Sequence, residues 1–583
     1  MDQQKRMLLA LALSFALTFV YITFFAPKPE PTAEGGSVAD AGVAQVVDAG
    51  APAPVVAPSE PAGAPPPELP PVEQVKRSRA EVHYVFSTEG AGLTQAELQG
   101  PKMREVQRLT IAQGFKRIVG GEVPTPPQMD MAIPVPNQPL PLSLSIEGAQ
   151  PLAANARYRV IPSPEQIVFQ ARQGPWEVTK RLQWAPDGFE LAYTVELKNV
   201  STTPASGELG LHYARTADPE AETPSSFFGG IGNQSRASCM VGDKLHHLVP
   251  GDEQRQEFSG PVRFIGVDQT YFLGTVFPLE EPREGRCVLE ATPTARLAHV
   301  YSPVTLAPGE TKNFRFGAYI GPKDAELLAV VPSAKAPTGG AAFHPGLEKT
   351  VDFGILEVIC RVLLAVMKFF HHLAGNWGVA IILLTVAVKL ILLPLTHKSM
   401  VSAEQMKKLQ PRMEEIRKKF AEDRERQNLE IMKLYQEAKV NPLGGCLPML
   451  FQLPVWAALF TTLRTSYELY REPFIAPLWT DLTYKDPIYF LPLALGVTMI
   501  VTQRLQPQMM DATQAKIMTY VMPVFFTFIM LNYPAGLTLY IFTNNLLSIA
   551  QQYALRKYLE KKGVAERGRK AEKKKSKSLV EER

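Results

Sequence analysis

The apolar residues of this chain form one run at its beginning and several runs in its second half, with a polar and alternating region between them. The first run, residues 7–26, carries no charge and follows Lys5 and Arg6. A helix of about 20 apolar residues crosses the ~30 Å hydrocarbon core of a bilayer. We therefore predict a transmembrane anchor over residues 1–26 with its basic end in the cytoplasm. The alternative, a cleaved signal peptide, is disfavoured by the aromatic end of the run and by Pro27.

The region after the anchor changes pattern twice. Residues 27–75 are rich in Pro and Ala and contain no aromatic side chain, which is typical of an extended linker that buries too little apolar surface to fold. Residues 76–340 show short alternating runs, such as 189–200 and 313–320, broken by Gly and Pro clusters. Alternation with a period of two predicts an antiparallel all-β sandwich with its own core.

Residues 345–373 have the pattern of an amphipathic helix, with apolar residues three and four positions apart and charges elsewhere. These charges are too many for a membrane span, so we predict that the helix lies flat at the outer membrane interface. A surface helix packed on the β domain is the alternative. The apolar positions are Val351, Ile355, Val358, Val362, Val366, Phe369 and Leu373.

Five further apolar segments lie within residues 374–555. The loop after the first segment and the tail 556–583 are strongly basic, whereas residues 466–487 are mildly acidic. By the positive-inside rule, the basic loop and both termini are cytoplasmic, and the chain has six spans. Two segments are only about 22 Å long as helices, which indicates longer helices or a thinned bilayer. The segments are 376–395, 443–463, 488–502, 517–531 and 535–550, and the short ones are the third and fourth.

The basic loop, residues 398–440, is itself patterned. Apolar residues recur at three- and four-residue spacing before and after a charged stretch at 421–427. This pattern predicts an antiparallel helical hairpin with a narrow apolar seam. The simplest interpretation is that the two helices pack against each other and expose their charged faces to solvent. We also interpret the hairpin as a mobile arm that meets emerging chains, and the two interpretations are compatible.

One charge interrupts the first of the five segments. Lys389 lies within an apolar run, where a charge at the bilayer centre costs about 2.5 to 3.5 kcal/mol. The residue therefore needs a hydrated or paired environment, unless its long stem lets the ammonium snorkel to the interface. Thr385, Gln452 and the pair Asn544 and Asn545 add polar groups to the spans, which favours a hydrated cavity. None of these spans carries a buried acid, and a proton-coupled carrier usually needs one.

Composition and motifs exclude several function classes. The chain has 583 residues, a net charge of +4 and four cysteines, too few for a disulfide scaffold. We interpret Cys239 and Cys287 as two free buried thiols in preference to a pair. Gly444 and Gly445 lack the pattern of a phosphate loop, and no cluster has metal-ligand or acid-base spacing. We therefore expect no cofactor, no metal and no catalytic residue.

Three segments, residues 441–460, 486–503 and 533–552, closely resemble the core of the YidC/Oxa/Alb insertase family. NPLGGC followed by a span with the pattern P-x-x-x-Q-x-P is highly specific for that family. The resemblance implies a multi-pass α-helical membrane protein of the bacterial inner membrane, with a five-helix core and a periplasmic β-supersandwich. It also implies a hydrophilic groove that is open to the cytoplasm and to lipid but closed to the periplasm.

The resemblance implies groove positions in this sequence. Lys389 takes the place of the family's groove arginine, Thr385 and Gln452 match polar groove positions, and Cys446 and Tyr540 fall where the spans meet substrate. Lysine lacks the planar fork of arginine, so the exchange leaves a role for positive charge and bound water but not for bidentate contacts.

The combined interpretation is a membrane protein insertase and chaperone that acts alone or with the Sec translocon. Nascent membrane proteins are the expected substrates, and the basic tail and the hairpin are expected to contact the ribosome. One alternative is a polytopic transporter that binds an anion at Lys389, which predicts internal repeats that the sequence does not show. Another is a membrane-anchored carbohydrate enzyme, which would need paired carboxylates in a cleft of the β domain.

Overall fold

The computed structural model describes most of the chain from Pro70 onward. The predicted anchor, nearly all of the predicted linker and tail, and Cys446 lie outside the described residues. The described residues are 70–105, 109–163, 166–185, 187–219, 235–250, 254–282, 284–332, 343–438, 447–505, 515–555 and 557–558.

The amino-terminal half of the described chain is built from antiparallel strands. The first three strands form a small sheet, and the others form two larger sheets that meet in the strand β12. The strands are β1 Gln74–Ser78, β2 Val82–Ser87, β3 Leu93–Leu98, β4 Leu144–Glu147, β5 Arg159–Pro162, β6 Gln166–Gln173, β7 Trp176–Trp184, β8 Glu190–Asn199, β9 Ala205–Thr216, β10 Arg236–Val241, β11 Lys244–Leu248, β12 Arg255–Asp268, β13 Phe272–Pro278, β14 Glu284–Thr292, β15 Ala295–Leu306 and β16 Thr311–Pro322.

The strand β12 belongs to both larger sheets. Its first half pairs with β14 in a sheet of order β4-β9-β15-β14-β12, and its second half pairs with β10 and β13. The second sheet continues from β13 through β16, β8, β7 and β6 to β5. Gly260, at a φ of +144°, lies where the strand changes sheets, a backbone angle that residues with a Cβ rarely adopt.

The two larger sheets share one apolar core, which confirms the predicted all-β sandwich. Leu211 and Leu289 enter this core from the first sheet, and Phe169, Val195 and Val276 enter it from the second. The alternating pattern of the sequence produces this arrangement because successive side chains of a strand point to opposite faces.

Cys239 and Cys287 form a disulfide, so the interpretation of two free thiols was wrong. Cys239 lies on β10 and Cys287 on β14, the neighbours of the two halves of β12. The pair therefore links the two sheets across the core. Spacing along the sequence could not show this, because pairing depends on a Cα separation, here 6.8 Å, that the strand register sets.

The carboxyl-terminal half of the described chain is helical. Its apolar helices coincide with the five predicted apolar segments, and two short helices belong to the β domain. The helices are α1 Ile111–Ile118, α2 Ala325–Leu328, α3 Glu357–Ala374, α4 Trp377–Ile391, α5 Leu393–Lys419, α6 Arg424–Glu437, α7 Leu447–Thr465, α8 Phe490–Leu505, α9 Ile517–Met530, which begins with a π-helical turn, and α10 over residues 535–555.

Within the described residues, no helix taken singly has both the length and the hydropathy to cross a bilayer. The helix α4 and the first turns of α5, to Ser399, meet both requirements together, although they are bent by 60° at Leu392. The helices α8 and α9 are apolar but shorter. The count of six spans therefore stays a prediction.

The segment 345–373 departs from the single predicted helix. It begins with 3₁₀ turns at Leu347–Thr350 and Gly354–Leu356, and α3 starts only at Glu357. Gly354 causes the break, since it has a φ of +63° and its N–H donates to Asp352 Oδ1.

The helix α3 has two apolar faces. The buried face, formed by Cys360, Leu363, Leu364 and Met367, packs against α4 and α7. Most of the predicted apolar stripe is exposed, at Ile355, Val358, Val362, Phe369 and Leu373. An exposed apolar stripe beside a packed face fits a helix that rests on a membrane surface.

Candidate substrate groove

A row of polar side chains connects α4 and α5 with α10. Lys389, in the last turn of α4, is half-buried, and its Nζ donates to Ser548 Oγ at 2.8 Å. Ser548 Oγ donates in turn to Asn544 O at 2.8 Å. Farther along α10, Gln551 Nε2 donates to Thr396 Oγ1 at 2.9 Å. We call these five residues the polar strip.

The spacing of α10 explains why its polar residues share one face. Tyr540, Asn544, Ser548 and Gln551 are separated by four, four and three positions, and such residues lie above one another on a helix. The residues at these positions form a wall of α10 that faces the other helices of the core.

Tyr540 and Gln452 form a second contact on the same wall. Tyr540 is 1% exposed, and its hydroxyl faces the half-buried Gln452 side chain of α7 without a hydrogen bond of regular geometry. Tyr540 lies two turns of α10 from Ser548, about 12 Å along the helix axis. The predicted site residues Lys389, Gln452 and Tyr540 therefore all lie beside one face of α10.

Thr385 is placed differently from these three residues. It is buried, and its Oγ1 donates to Ile381 O at 2.7 Å within its own helix. Its hydroxyl is thus already satisfied. Cys446 lies outside the described residues, so the structure does not locate it.

Two polar side chains of α10 beside the strip have buried atoms that are not paired. Within the described part of the chain, Asn545 Nδ2 and Gln552 Oε1 have no hydrogen-bond partner. An unsatisfied buried polar group costs about 1–3 kcal/mol, which bound water removes. These atoms therefore support a hydrated environment along α10.

The outer ends of the core helices are closed by apolar packing. Trp377, Ile381, Leu463 and Leu537 are buried in one cluster. A Cβ built on Gly536 of α10 would lie 3.1 Å from a methyl carbon of Leu463 and 3.3 Å from one of Ile381, so the helices pack closely at this point. The polar strip thus continues toward the hairpin side and stops at the side that faces the β domain.

The helical hairpin extends directly from the strip. The helix α5 runs from the bend to Lys419, and α6 starts at Arg424, where Asp423 Oδ1 accepts from the Arg426 N–H. The seam is narrow, with Met413 and Leu434 buried and the Tyr435 hydroxyl donating to Met413 Sδ.

The loop between α7 and α8, residues 466–487, docks into the β domain, which the sequence analysis missed. Tyr470 is buried, its ring stacks on Tyr271 at 4.2 Å, and its hydroxyl donates to Arg104 O at 2.6 Å. Lys102 forms an ion pair with Glu472 beside this contact. Tyr467, Leu469 and Tyr470 at the start of this loop are a signal in the sequence, but such residues fit a membrane-interface belt equally well.

A three-way ion pair joins α3 to the same loop. Lys368 Nζ lies 2.7 Å from Glu326 Oε1 of α2 and 2.8 Å from Glu468 Oε1. Since α2 follows the last strand of the β domain, this lysine links the sandwich, α3 and the loop.

Two protein families match the chain in adjacent regions. Residues 156–366 match the family described as YidC periplasmic domain, and residues 369–562 match the family described as 60Kd inner membrane protein. The boundary between the two matches falls in α3.

Two curated relatives illustrate the similarity. The membrane protein insertase YidC of Anaeromyxobacter sp. (strain Fw109-5) is 40% identical over 482 residues, which cover 80% of this chain and 81% of that protein. The membrane protein insertase YidC of Geobacter metallireducens (strain ATCC 53774 / DSM 7210 / GS-15) is 33% identical over 572 residues, which cover 95% and 98%. A crystal structure of an active YidC insertase with its first transmembrane domain resolved is 19% identical, covers 83% of this chain and 95% of its own, and has a TM-score of 0.35.

Proposed function

The chain belongs to the YidC family of bacterial membrane protein insertases, and we propose that its polar strip is a hydrophilic groove in which the polar parts of client proteins pass into the membrane. In keeping with this family, the protein acts on nascent membrane proteins and is not an enzyme. The contact of Lys389 with Ser548 between α4 and α10 is the observation that carries the groove proposal.

The groove lowers the cost of bringing a polar segment into the bilayer. A polar group without a hydrogen-bond partner in hydrocarbon costs several kcal/mol. The hydroxyl, amide and ammonium groups beside α10 can form hydrogen bonds with such a group, and they also hold water. The apolar segment of the client then moves from the groove into lipid, where hydrophobic transfer drives its release. The reaction needs no nucleotide and no covalent intermediate.

Lys389 supplies positive charge to the groove. An acidic segment that enters the groove is attracted more strongly than in water, because the local dielectric constant is lower. The compact ammonium of lysine suffices for this role, which requires charge and hydration rather than the bidentate geometry of arginine.

The helices α8 and α9 form the lipid-facing side of the proposed core. They expose apolar side chains that include Leu493, Val497, Val524 and Phe528. Since the apolar segment 488–502 corresponds to only about 22 Å of helix, the bilayer beside it is thinned, and the path of a polar segment is shortened.

The orientation and partners follow from the charge distribution of the sequence. Both termini, the hairpin and the basic tail are cytoplasmic, and six spans lie in the inner membrane. The tail and the hairpin contact the ribosome through their basic residues. The protein also acts as a chaperone for clients that fold in the membrane, either alone or beside the Sec translocon.

Crosslinking from the two sides of α10 tests this function. A photoreactive residue at Ser548 is expected to crosslink to a stalled nascent membrane protein, and the same residue at Leu546 is the matched control, since its side chain lies about 200° around the helix. Leu546 is 44% exposed. Equal crosslinking at both positions would contradict a groove. The carbohydrate-enzyme alternative predicts that removal of residues 76–335 abolishes activity, whereas we expect insertion to persist.

A further inference from the structure

A cavity of about 240 Å³ lies between α1 of the β domain and the loop that precedes α8. Arg117, Arg471 and Lys485 contribute its positive charge, and Trp479 and Asp481 also line it. It lies on the opposite side of the core from the polar strip, next to the first residues of α8.

Two arginines of the cavity are close enough to repel each other. Burial and then the nearby charge of Arg471 lower the pKa of Arg117. Arg117 Nη1 donates to Thr480 Oγ1 at 2.6 Å, and Arg471 Nη1 donates to Glu105 O at 2.9 Å, so hydrogen bonds hold both guanidinium groups in place. An anion between them would relieve the repulsion.

Among the described residues, one acid lines the cavity against three cations. Asp481 accepts hydrogen bonds from the backbone N–H and the hydroxyl of Thr483. Burial raises the pKa of Asp481, while its hydrogen bonds with Thr483 and the nearby charge of Arg471 lower it. The cavity is therefore an electropositive site with fixed donors, as anion-binding sites require.

Trp479 forms part of the cavity wall. Its side chain is 7% exposed, and its indole N–H has no partner within the described residues. The ring stacks on Phe474 at 5.8 Å and contacts Phe490 of α8 at 6.0 Å, so the indole is held firmly in the cavity wall.

The surroundings of the cavity are suited to lipid. On α1, Ile111 and Phe115 are 48% and 55% exposed, and Val119, which caps the helix at its carboxyl end, is 81% exposed. The helix packs through Gly114 against Pro487 and Ile488, so its exposed stripe adjoins the start of α8.

The exposed face of α8 continues this apolar surface. Phe490 and Leu493 are 54% and 59% exposed. An apolar stripe on a helix of the β domain that meets the lipid-facing start of a core helix fits the outer interface of the membrane.

From this arrangement we propose that the cavity binds the phosphate group of an anionic phospholipid of the outer leaflet, with the acyl chains against Phe115 and Phe490. Arg117, Arg471 and Lys485 contact the phosphate oxygens. The exposed apolar side chains of α1 and α8 beside the cavity favour a lipid over a free phosphate ion and over an acidic segment of a client. The site is separate from the proposed groove and adds a lipid requirement at the periplasmic side.

Lipid binding to the purified full-length chain tests the proposal. The probes are short-chain phosphatidylglycerol, phosphatidylcholine with the same acyl chains, and inorganic phosphate, with affinity measured by native mass spectrometry or calorimetry. The test variant is R117Q/K485Q, since Arg471 also anchors the loop. The matched control is R172Q/K244Q, which removes one exposed arginine and one exposed lysine elsewhere on the β domain. The variant R117K/K485R keeps both charges.

We expect the wild type and R172Q/K244Q to bind phosphatidylglycerol at least about tenfold more tightly than phosphatidylcholine, and R117Q/K485Q to lose that preference. R117K/K485R should keep it, and F115S should weaken lipid binding without affecting inorganic phosphate. Unchanged lipid preference in R117Q/K485Q would overturn the proposal. Inorganic phosphate that binds as tightly as the lipid, or an acidic client peptide that displaces the lipid, would overturn it as well. Insertion activity measured in parallel reports on the groove separately.

Discussion

Lys389 Nζ and Ser548 Oγ lie 2.8 Å apart and join the end of α4 to α10. The contact directs the ammonium toward a neighbouring helix instead of along its own helix to the membrane surface, so it argues against simple snorkelling. A charged donor and a hydroxyl acceptor facing each other between apolar helices make this pair the centre of the polar strip.

The charge of Lys389 should matter most for acidic clients. We expect Lys389→Arg to preserve insertion and Lys389→Ala to reduce it by about tenfold for clients with an acidic translocated tail, since a charge-assisted contact contributes about 1.5–3 kcal/mol. The measurement compares matched clients that differ only in the charge of that tail.

Ser548→Ala serves as the control for the hydrogen bond alone and should have a smaller effect than Lys389→Ala. A cysteine at position 389 should react with a water-soluble thiol reagent. Wild-type insertion of every client by Lys389→Ala, together with no labelling at that position, would show that the lysine is not part of a hydrated groove.

The docking of Tyr470 on the β domain should stabilise the junction between the two halves of the chain. Tyr470→Ala removes a buried ring and a hydrogen bond to Arg104 O, which corresponds to about 3–5 kcal/mol. We expect faster proteolysis between the sandwich and the helices. Tyr470→Phe keeps the stack on Tyr271 and should cost only about 1 kcal/mol. Equal proteolysis of both variants and the wild type would mean that the contact is energetically neutral.

The disulfide between the sheets should be a main source of stability in the β domain. The cysteines are separated by 48 residues, and closing a loop of that size corresponds to about 4 kcal/mol in the chain-entropy description. We expect Cys239→Ala/Cys287→Ala to lower the unfolding midpoint of the sandwich, and a reductant to do the same to the wild type. The double variant should no longer respond to a reductant, whereas the control Cys360→Ala, which removes the remaining described cysteine and keeps the disulfide, should respond as the wild type does. An unchanged midpoint in the double variant would refute the prediction.

Acid should destabilise the β domain through a buried histidine pair. The Nδ1 atoms of His212 and His299 lie 2.9 Å apart, and His212 Nε2 lies 2.8 Å from Ser145 Oγ. Burial and the neighbouring His299 lower the pKa of His212 well below its usual value, and burial and then Arg255 lower the pKa of His299 to about 4. The unfolded chain therefore binds more protons than the folded chain below a pH of about 6.5, and stability falls as the pH falls.

His299 alone should account for a loss of about 2 kcal/mol between about pH 7.5 and pH 5. Chemical unfolding at the two pH values measures this loss. The variant His299→Gln removes one titrating group and should show a smaller difference between the two values. If His299→Gln lost as much stability between the two pH values as the wild type, other groups would be responsible for the acid sensitivity.

The hairpin should be more mobile than the core helices. Its seam buries few residues, while Leu429 and Met432 are 61% and 50% exposed. Hydrogen exchange over residues 402–438 should therefore be fast relative to 447–463. Equally slow exchange in both segments would indicate a rigid element and would contradict a capture arm.

The fold was predictable where a local pattern determines burial. The alternation of residues 76–340 predicts the sandwich, and the apolar runs predict the positions of α4 and of α7 to α10. The disulfide was not predictable, since it depends on how β12 passes between sheets. Gly354 marks the break before α3, but a single glycine within an amphipathic pattern does not show that the helix ends there.

The candidate site was predictable only in part. Lys389 stands out because a charge within an apolar run is rare. Ser548 and Thr396 do not stand out, since hydroxyl residues are common in apolar helices and usually bond to their own backbone, as Thr385 does. The role of Tyr470 depends on a partner surface about 200 positions earlier in the chain, at Tyr271, which no local pattern reveals.

The 60° bend at Leu392 also has an electrostatic effect on Lys389. Peptide dipoles add along a helix and give its carboxyl end a partial negative charge, which attracts a cation by roughly 0.3–1 kcal/mol. Because the bend ends α4 at Ile391, Lys389 lies in the last turn, where this macrodipole is most effective. A straight helix that continued to Lys419 would carry its negative end into the cytoplasm. The bend thus places the negative carboxyl end of α4 beside the one ammonium in the polar strip, although the positive amino end of α5, which starts at Leu393, offsets part of this field.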